Sequence, residues 1–389
     1  MSITTPPGFA AAGWAAGIKS SGALDLALLC TDDGRPVPTA ATFTLNKAAA
    51  APVQVSRSHL ATSAGRMVGV VVSSGNANAA TGARGRNDAE RMTTLVADGL
   101  GVDPAALLVC STGLIGIPLP MEVIEPGLVH LVAARGSGPE AGEAAAQGIL
   151  TTDSGRKEVL VERDGFVVAG MAKGAGMLAP NMATMLAFLT TDADVSPGAL
   201  QESLQVAVDA SFNSMSIDGC TSTNDTVVVM ASGRSGPVDV GVLTEALVEA
   251  CQGLARQMAA DAEGAERIFQ VRVTGAAGDG EAHRAARKVA DSLLVKCSIN
   301  GADPYWGRVA SELGSAGVEF DMDRLVISYG GIDVCRGGVA ADFDATGVAK
   351  HFSSPLVDIH CQLGLGAGSG VVMGVELGYG YIDENRTTS

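Results

Sequence analysis

The sequence predicts an α/β fold divided into two or three compact units. Short β-branched runs alternate with alanine-rich amphipathic stretches along the chain, and its 389 residues exceed what one hydrophobic core usually fills. Only 4% of residues are aromatic against 47% hydrophobic, and 50 are glycine, so the core rests on Ala, Val, Leu and Ile and permits close backbone packing.

The elements follow from local pattern. Met67–Val72 reads as a strand that leads through the loop SSGNANAATGARG into a helix expected from Asn87. Met92, Leu95, Val96 and Leu100 recur at helical spacing, and Gly101 is placed to end that helix. EVLVERDGFVV predicts a strand pair. Ser196 and Pro197 form an N-cap and first-turn pair ahead of Leu200, Leu204, Ala207 and Val208. Strands follow at Thr226–Met230 and Ile268–Val273, separated by one long helix over Leu243–Ala262 that stops near Gly264. A further helix is expected over Glu281–Leu294, and GVELGYGYI near the end reads as a strand. AAGDGEA at 276–282 marks a unit boundary, with a smaller C-terminal unit from about residue 283.

Charge and composition exclude several classes. With 42 acidic and 26 basic residues the formal charge is -16, which repels phosphate backbones and anionic lipid, so neither nucleic acid nor membrane is an expected partner. No segment approaches 18 consecutive apolar residues and the N-terminus has no basic lead, which favours a soluble, cytoplasmic protein. The seven cysteines lie far apart without a Cys-x-x-Cys, and the five histidines show no metal-ligand spacing, so no disulfide framework and no metal site is expected.

Two motifs mislead. Gly174, Gly176 and Ala179 fit a dinucleotide fingerprint, but Pro180 falls where the phosphate-binding helix would begin, and no acidic residue follows at the required offset. Ser154 and Lys157 fit an S-x-x-K pattern that precedes a strand pair, whereas that chemistry needs the serine to open a helix.

The stretch KGAGMLAPNMATMLAFLTTDA, beginning at Lys173, is the most informative. Small residues at 174–176 and 183 leave room for close backbone approach, and Thr184 heads an apolar run, so the Thr184 hydroxyl could attack the Ala183 carbonyl and form an ester that water hydrolyses. Breaking the Ala183–Thr184 bond would free an α-amine with an ordinary pKa of roughly 7.7–8.0, able to act as base for its own hydroxyl without a histidine.

That segment resembles the cleavage motif of the ornithine acetyltransferase (glutamate N-acetyltransferase) family of arginine biosynthesis. Lys173, the run Pro180 to Leu186 and Thr190-Thr191-Asp192-Ala193 are all in register. Matching blocks elsewhere are Gly17-Ile18-Lys19, Asn76-Ala77-Asn78-Ala79, Ser111 to Gly116, Thr151-Thr152-Asp153, Ser222 to Thr226, Asp261 to Gly264 and Trp306-Gly307-Arg308, so the resemblance covers nearly the whole chain.

The resemblance implies two mixed sheets layered between helices plus a smaller C-terminal α/β unit. It also implies cleavage into residues 1–183 and 184–389 that stay together as an α2β2 assembly. The implied reaction carries acetyl from N-acetylornithine to glutamate on Thr184, with no cofactor. Whether acetyl-CoA is also a donor is left open. Thr112, through its hydroxyl, and Gly113, through its N–H, are the implied oxyanion donors. Lys173, Glu263, Asn385 and the terminal Ser389 are the implied substrate contacts, together with Thr151 or its neighbour Thr152. The tail Asn385-Arg386-Thr387-Thr388-Ser389 lacks the family's tyrosine and one residue, and Tyr305 stands where Asn is usual. The competing reading is a self-processed aminopeptidase or amidase, which would pass the acyl group to water. A paralogous acyltransferase serving a secondary pathway is the other alternative.

Overall fold

A computed structural model of the chain describes residues 1–177 and 185–386. It divides into two compact units, Met1–Asn213 with Thr221–Met258, and Ser214–Cys220 with the chain from Ala259 onward.

The first unit holds two sheets. In the four-stranded sheet Phe9–Trp14 pairs antiparallel with Leu26–Thr31, which pairs antiparallel with Gly69–Asn76, which runs parallel to Leu107–Leu114. The six-stranded sheet runs Arg66–Met67, Val37–Phe43, Thr226–Pro237, Leu186–Asp194, Phe166–Lys173, Lys157–Arg163. Leu186–Asp194 lies parallel to Thr226–Pro237 and antiparallel to Phe166–Lys173, so the sheet is mixed. Alternating side chains explain the layering. Ala27, Leu29, Val70, Val72, Leu108 and Cys110 of the smaller sheet meet Met171, Leu186, Phe188, Val228 and Met230 of the larger one in a single core. The opposite parity of the smaller sheet, Leu26, Leu28, Val71 and Val109, packs on the helices Gly82–Leu100 and Met121–Ala133 through Met92, Val96, Leu128 and Leu131. On the larger sheet the Gly170 backbone lies close to Leu254 of the helix Val240–Ala260. Two mixed sheets layered between helices, as expected, are therefore present.

The second unit is a seven-stranded sheet in the order Met215–Ser216, Gly368–Val375, Ile268–Ala276, Leu356–Gln362, Val326–Tyr329, Ile332–Arg336, Val339–Ala340. Its core gathers Phe269, Val271 and Ile359 against Ala282, Ala286 and Val289 of the helix Asp279–Asp291. Besides Ser214–Cys220, the continuous part of this unit begins at Ala259, well before residue 283. Ile268–Ala276 pairs with both Leu356–Gln362 and Gly368–Val375, so AAGDGEA is a strand-to-helix turn inside the unit.

Most local expectations hold. Gly101 ends its helix at φ 72°, its N–H donating to the Ala97 carbonyl, and the Ser196 side chain accepts from the Ala199 N–H at 3.3 Å. EVLVERDGFVV forms the antiparallel pair Lys157–Arg163 and Phe166–Lys173. Four expectations need correction. Met67–Val72 is not one strand, since Arg66–Met67 joins the six-stranded sheet and Gly69–Asn76 the four-stranded one. The helix expected from Asn87 begins at Gly82, because Gly85 must pass against Thr81 and Asn78, where a Cβ would lie 1.9 Å from the Thr81 hydroxyl. Glu281–Leu294 is two helices, Asp279–Asp291 and Leu293–Asn300, broken at Ser292, whose side chain caps the second. GVELGYGYI does not form one strand. Its strand ends at Val375, the Glu376 carboxylate accepts from the Glu266 and Arg267 N–H groups, and the chain turns into the helix Tyr379–Glu384.

Candidate active site

The strand Leu107–Leu114, which includes Ser111 and Thr112, brings Gly113 and Leu114 to the wall of a cavity of about 480 Å³. Its parallel partner slips register at Gly75 and Asn76, and the resulting bulge turns Gly113 to φ 127°. A Cβ there would lie 2.3 Å from the Gly75 carbonyl carbon, so only glycine fits. Thr112 is buried while Gly113 is exposed. Ile18, Lys19, Gly75, Gly113, Thr151 and Thr152 all line the cavity. Thr151 and Gly113 of the expected site therefore share one space.

Lys173 closes the strand Phe166–Lys173 and is buried. Its Nζ lies 3.8 Å from Asp153 Oδ2, and the Lys157 Nζ donates to Asp153 Oδ1 at 2.7 Å. The same carboxylate accepts from the Gly174 N–H at 2.6 Å and from the Thr151 N–H at 3.1 Å. Asp153 is thus the bracket that joins the Thr151 turn to the end of the Lys173 strand. Burial by itself would raise its pKa, but Lys173, Lys157 and the Gly174 N–H together hold it down at about 2. Sequence reasoning placed Asp153 in a matching block without a role. A charge flanked by hydroxyl residues carries no local sign that two buried lysines converge on it.

The block Ser222 to Thr226 was likewise left without a role, and it ties the neighbourhood together. The Asn224 Nδ2 donates to the carbonyls of Ala77 at 2.6 Å and Ser111 at 2.8 Å, next to Thr112. Asp225 Oδ1 accepts from the N–H of Met185, the residue after Thr184, at 3.0 Å. Asp225 is fully buried, its Oδ2 has no hydrogen-bond partner among the described residues, and burial pushes its pKa well above the usual carboxylate value.

Ala183, Thr184 and Ser389 lie outside the described residues. Glu263 and Asn385 belong to the second unit, where the Asn385 Nδ2 donates to Glu263 Oε2 at 2.9 Å. Glu263 follows the helix Val240–Ala260, and Gly264 at φ 65° lets the chain approach Gly380 so closely that a Cβ would lie 2.0 Å from its carbonyl carbon. Gly174, at φ 151°, directly follows the strand Phe166–Lys173. Elsewhere in the first unit, a larger groove of about 810 Å³ is lined by Asp33, Arg35, Arg66, Asp194, Ser196 and Arg234, and by none of the expected site residues. No helix among the described residues is long and apolar enough to cross a membrane.

The cavity brings the exposed Gly113 backbone, the Thr151 and Thr152 residues and the Lys19 cation to one place, which suits a carboxylate-bearing molecule. Comparison with known proteins points the same way. The ArgJ family model matches residues 10–387. The arginine biosynthesis bifunctional protein ArgJ of Mycobacterium tuberculosis (strain ATCC 25618 / H37Rv) is 44% identical, covering 100% of this chain and 96% of its own. That of Thermobifida fusca (strain YX) is 42% identical, covering 100% of each. A crystal structure of ornithine acetyltransferase complexed with ornithine, from Mycobacterium tuberculosis, is 43% identical over 46% of this chain and 94% of its own, with a TM-score of 0.44, too low to compare architectures. With a family match over nearly its full length and relatives aligned from end to end, the chain belongs to the ArgJ family.

Proposed function

We propose that this arginine-biosynthesis enzyme is a glutamate N-acetyltransferase that cuts itself between Ala183 and Thr184 and then carries acetyl on Thr184. The observation that carries the reading is the union, at one cavity, of Gly113 and Thr151, with Asp153 linking Thr151 to Lys173. The Thr184 α-amine takes the hydroxyl proton as the oxygen attacks the acetyl carbonyl of N-acetylornithine. The oxyanion is held by the Thr112 hydroxyl and the Gly113 N–H. Collapse breaks the C–N bond, the α-ammonium returns its proton to the leaving amine, and ornithine departs. Glutamate then attacks the acetyl ester through its α-amine, and the same donors hold the second oxyanion until Thr184 is released. Lys173 is assigned the part of keeping the Thr184 amine neutral and able to accept a proton.

Glu263 and Asn385 serve the ornithine end of the substrate, and Ser389 completes the pocket. The relatives' bifunctional name is read here as a second transfer, from acetyl-CoA to glutamate, on the same threonine. The cut pieces assemble as two copies of each in the cytoplasm.

The test is to incubate purified protein with N-acetylornithine, with and without glutamate, and to follow intact mass. Two polypeptides of residues 1–183 and 184–389, an acetyl adduct on the second, and fast ornithine release only with glutamate are expected. Release independent of glutamate would make the protein a hydrolase. A fully active uncut chain would overturn the nucleophile assignment.

A further inference from the structure

Lys19 lines the same cavity as Gly113 and Thr151, and the proposed reaction has so far given it no part. Its position is built with unusual care. The buried Asp25 carboxylate accepts four consecutive backbone N–H groups: Ala16 on Oδ1 at 2.7 Å, then Gly17 at 3.0 Å, Ile18 at 2.6 Å and Lys19 at 3.1 Å on Oδ2. The loop that presents Lys19 is therefore wrapped around an internal anion. Gly75, at φ 105°, lets the loop lie against the bulge beside Gly113, for a Cβ there would press within 3.2 Å of Lys19 Cγ.

The ammonium group is partly committed. Lys19 Nζ donates to the Leu24 carbonyl at 2.7 Å, and its other two donors have no partner among the described residues. Lys173 differs, since it is buried and faces the Asp153 carboxylate. Half-burial pushes the Lys19 pKa down, Asp25 pulls it up, Lys173 pushes it down again and Asp153 pulls it up. A half-buried cation near a second cation gains from an added carboxylate.

We propose that Lys19 binds the α-carboxylate of both amino-acid substrates and is a specificity-determining residue of the transfer site. The proposal rests on the acetyltransferase reading. It selects the α-carboxylate because that group's carbon is two bonds from the reacting nitrogen, while the γ-carboxylate carbon of glutamate is four bonds away. A cation sharing a cavity with an oxyanion donor therefore meets the nearer group.

The test uses the full-length, self-processed enzyme and three acceptors: glutamate, glutamine without the γ-carboxylate, and glutamate α-amide without the α-carboxylate. Lys19→Met should cut the preference for glutamate over its α-amide by about 10- to 100-fold, the loss of one charge-assisted contact. It should leave the glutamate-to-glutamine ratio within about twofold, since the two sites are then uncoupled. KM for N-acetylornithine should rise as well, and Lys19→Arg should keep most of the α-carboxylate preference. Lys47→Met, at a lysine lining a different cavity, serves as the control and should change none of these ratios. An unchanged α-amide ratio in Lys19→Met overturns the proposal, and so does a loss that falls on the glutamine ratio. Wild-type enzyme that never acetylates glutamate would instead remove the acetyltransferase reading, and the Lys19 role with it.

Discussion

Replacing Asp153 by Asn should destabilise the first unit and make its stability less sensitive to acid. The carboxyl has a folded pKa near 2 against an ordinary value of 3.8. That difference corresponds to about 2.5 kcal/mol of folding free energy, present when the carboxylate is charged in both states. Because the folded pKa is depressed, this stability is fully present above the unfolded value and is lost as pH falls toward 2. Evaluating the linkage, the wild-type advantage over Asp153→Asn should narrow by about 1 kcal/mol between pH 5 and pH 3, and by about 2 kcal/mol by pH 2. At neutral pH the variant should lose about 3–5 kcal/mol, because two buried ammonium groups lose a shared counter-charge. Urea unfolding of both proteins across this pH range measures the gap, and the subtraction cancels acid effects at other carboxylates. A gap independent of pH would mean that Asp153 is not held as a buried anion by its lysines, and the account of how Thr151 and Lys173 are joined would fail.

Two further outcomes are expected. Thr112→Ala should lower kcat by about 10²–10³-fold if its hydroxyl meets the oxyanion, while unchanged kcat with raised KM would make it a binding residue. Lys296 in the second unit is buried, its Nζ donating to the Ser216, Ile217 and Val375 carbonyls, and burial lowers its pKa from 10.5 to about 8. Between those values the unfolded chain binds more protons, so stability relative to Lys296→Met should rise with pH, by up to about 3 kcal/mol. Melting curves from pH 7 to 10 that show a constant difference would contradict this.

The sequence displayed much of the architecture, because hydrophobic alternation and Gly-rich turns are written locally. What escaped it depends on tertiary meetings. Gly82–Leu100 begins early because Gly85 packs against Thr81 and Asn78, which overrides its weak helix preference. The boundary near 283 failed because Ile268–Ala276 takes its partners from strands far downstream. Thr112, Gly113, Thr151 and Lys173 were singled out as candidates through family motifs. Asp153, Asn224 and Asp225 were quoted in those motifs but gained roles only when their hydrogen bonds to Thr151, Ser111 and Met185 became visible.

The order of strands in the six-stranded sheet bears on what a cut before Thr184 would leave behind. Its two central strands, Leu186–Asp194 and Thr226–Pro237, come from the downstream piece, while Val37–Phe43 on one side and Phe166–Lys173 on the other come from the upstream piece. The fragments would be interleaved like fingers of folded hands, and scission would remove a covalent link without releasing a single ladder bond. Neither fragment could rebuild that sheet alone: one would lack its middle, and the other would expose both edges of a two-stranded ribbon. Mixing isotopically heavy and light cleaved protein should therefore produce no hybrids short of unfolding. Supplying the pieces from separate messages would ask two aggregation-prone partners to find each other, so a single message that is folded first and severed afterwards is the robust way to make a two-chain enzyme.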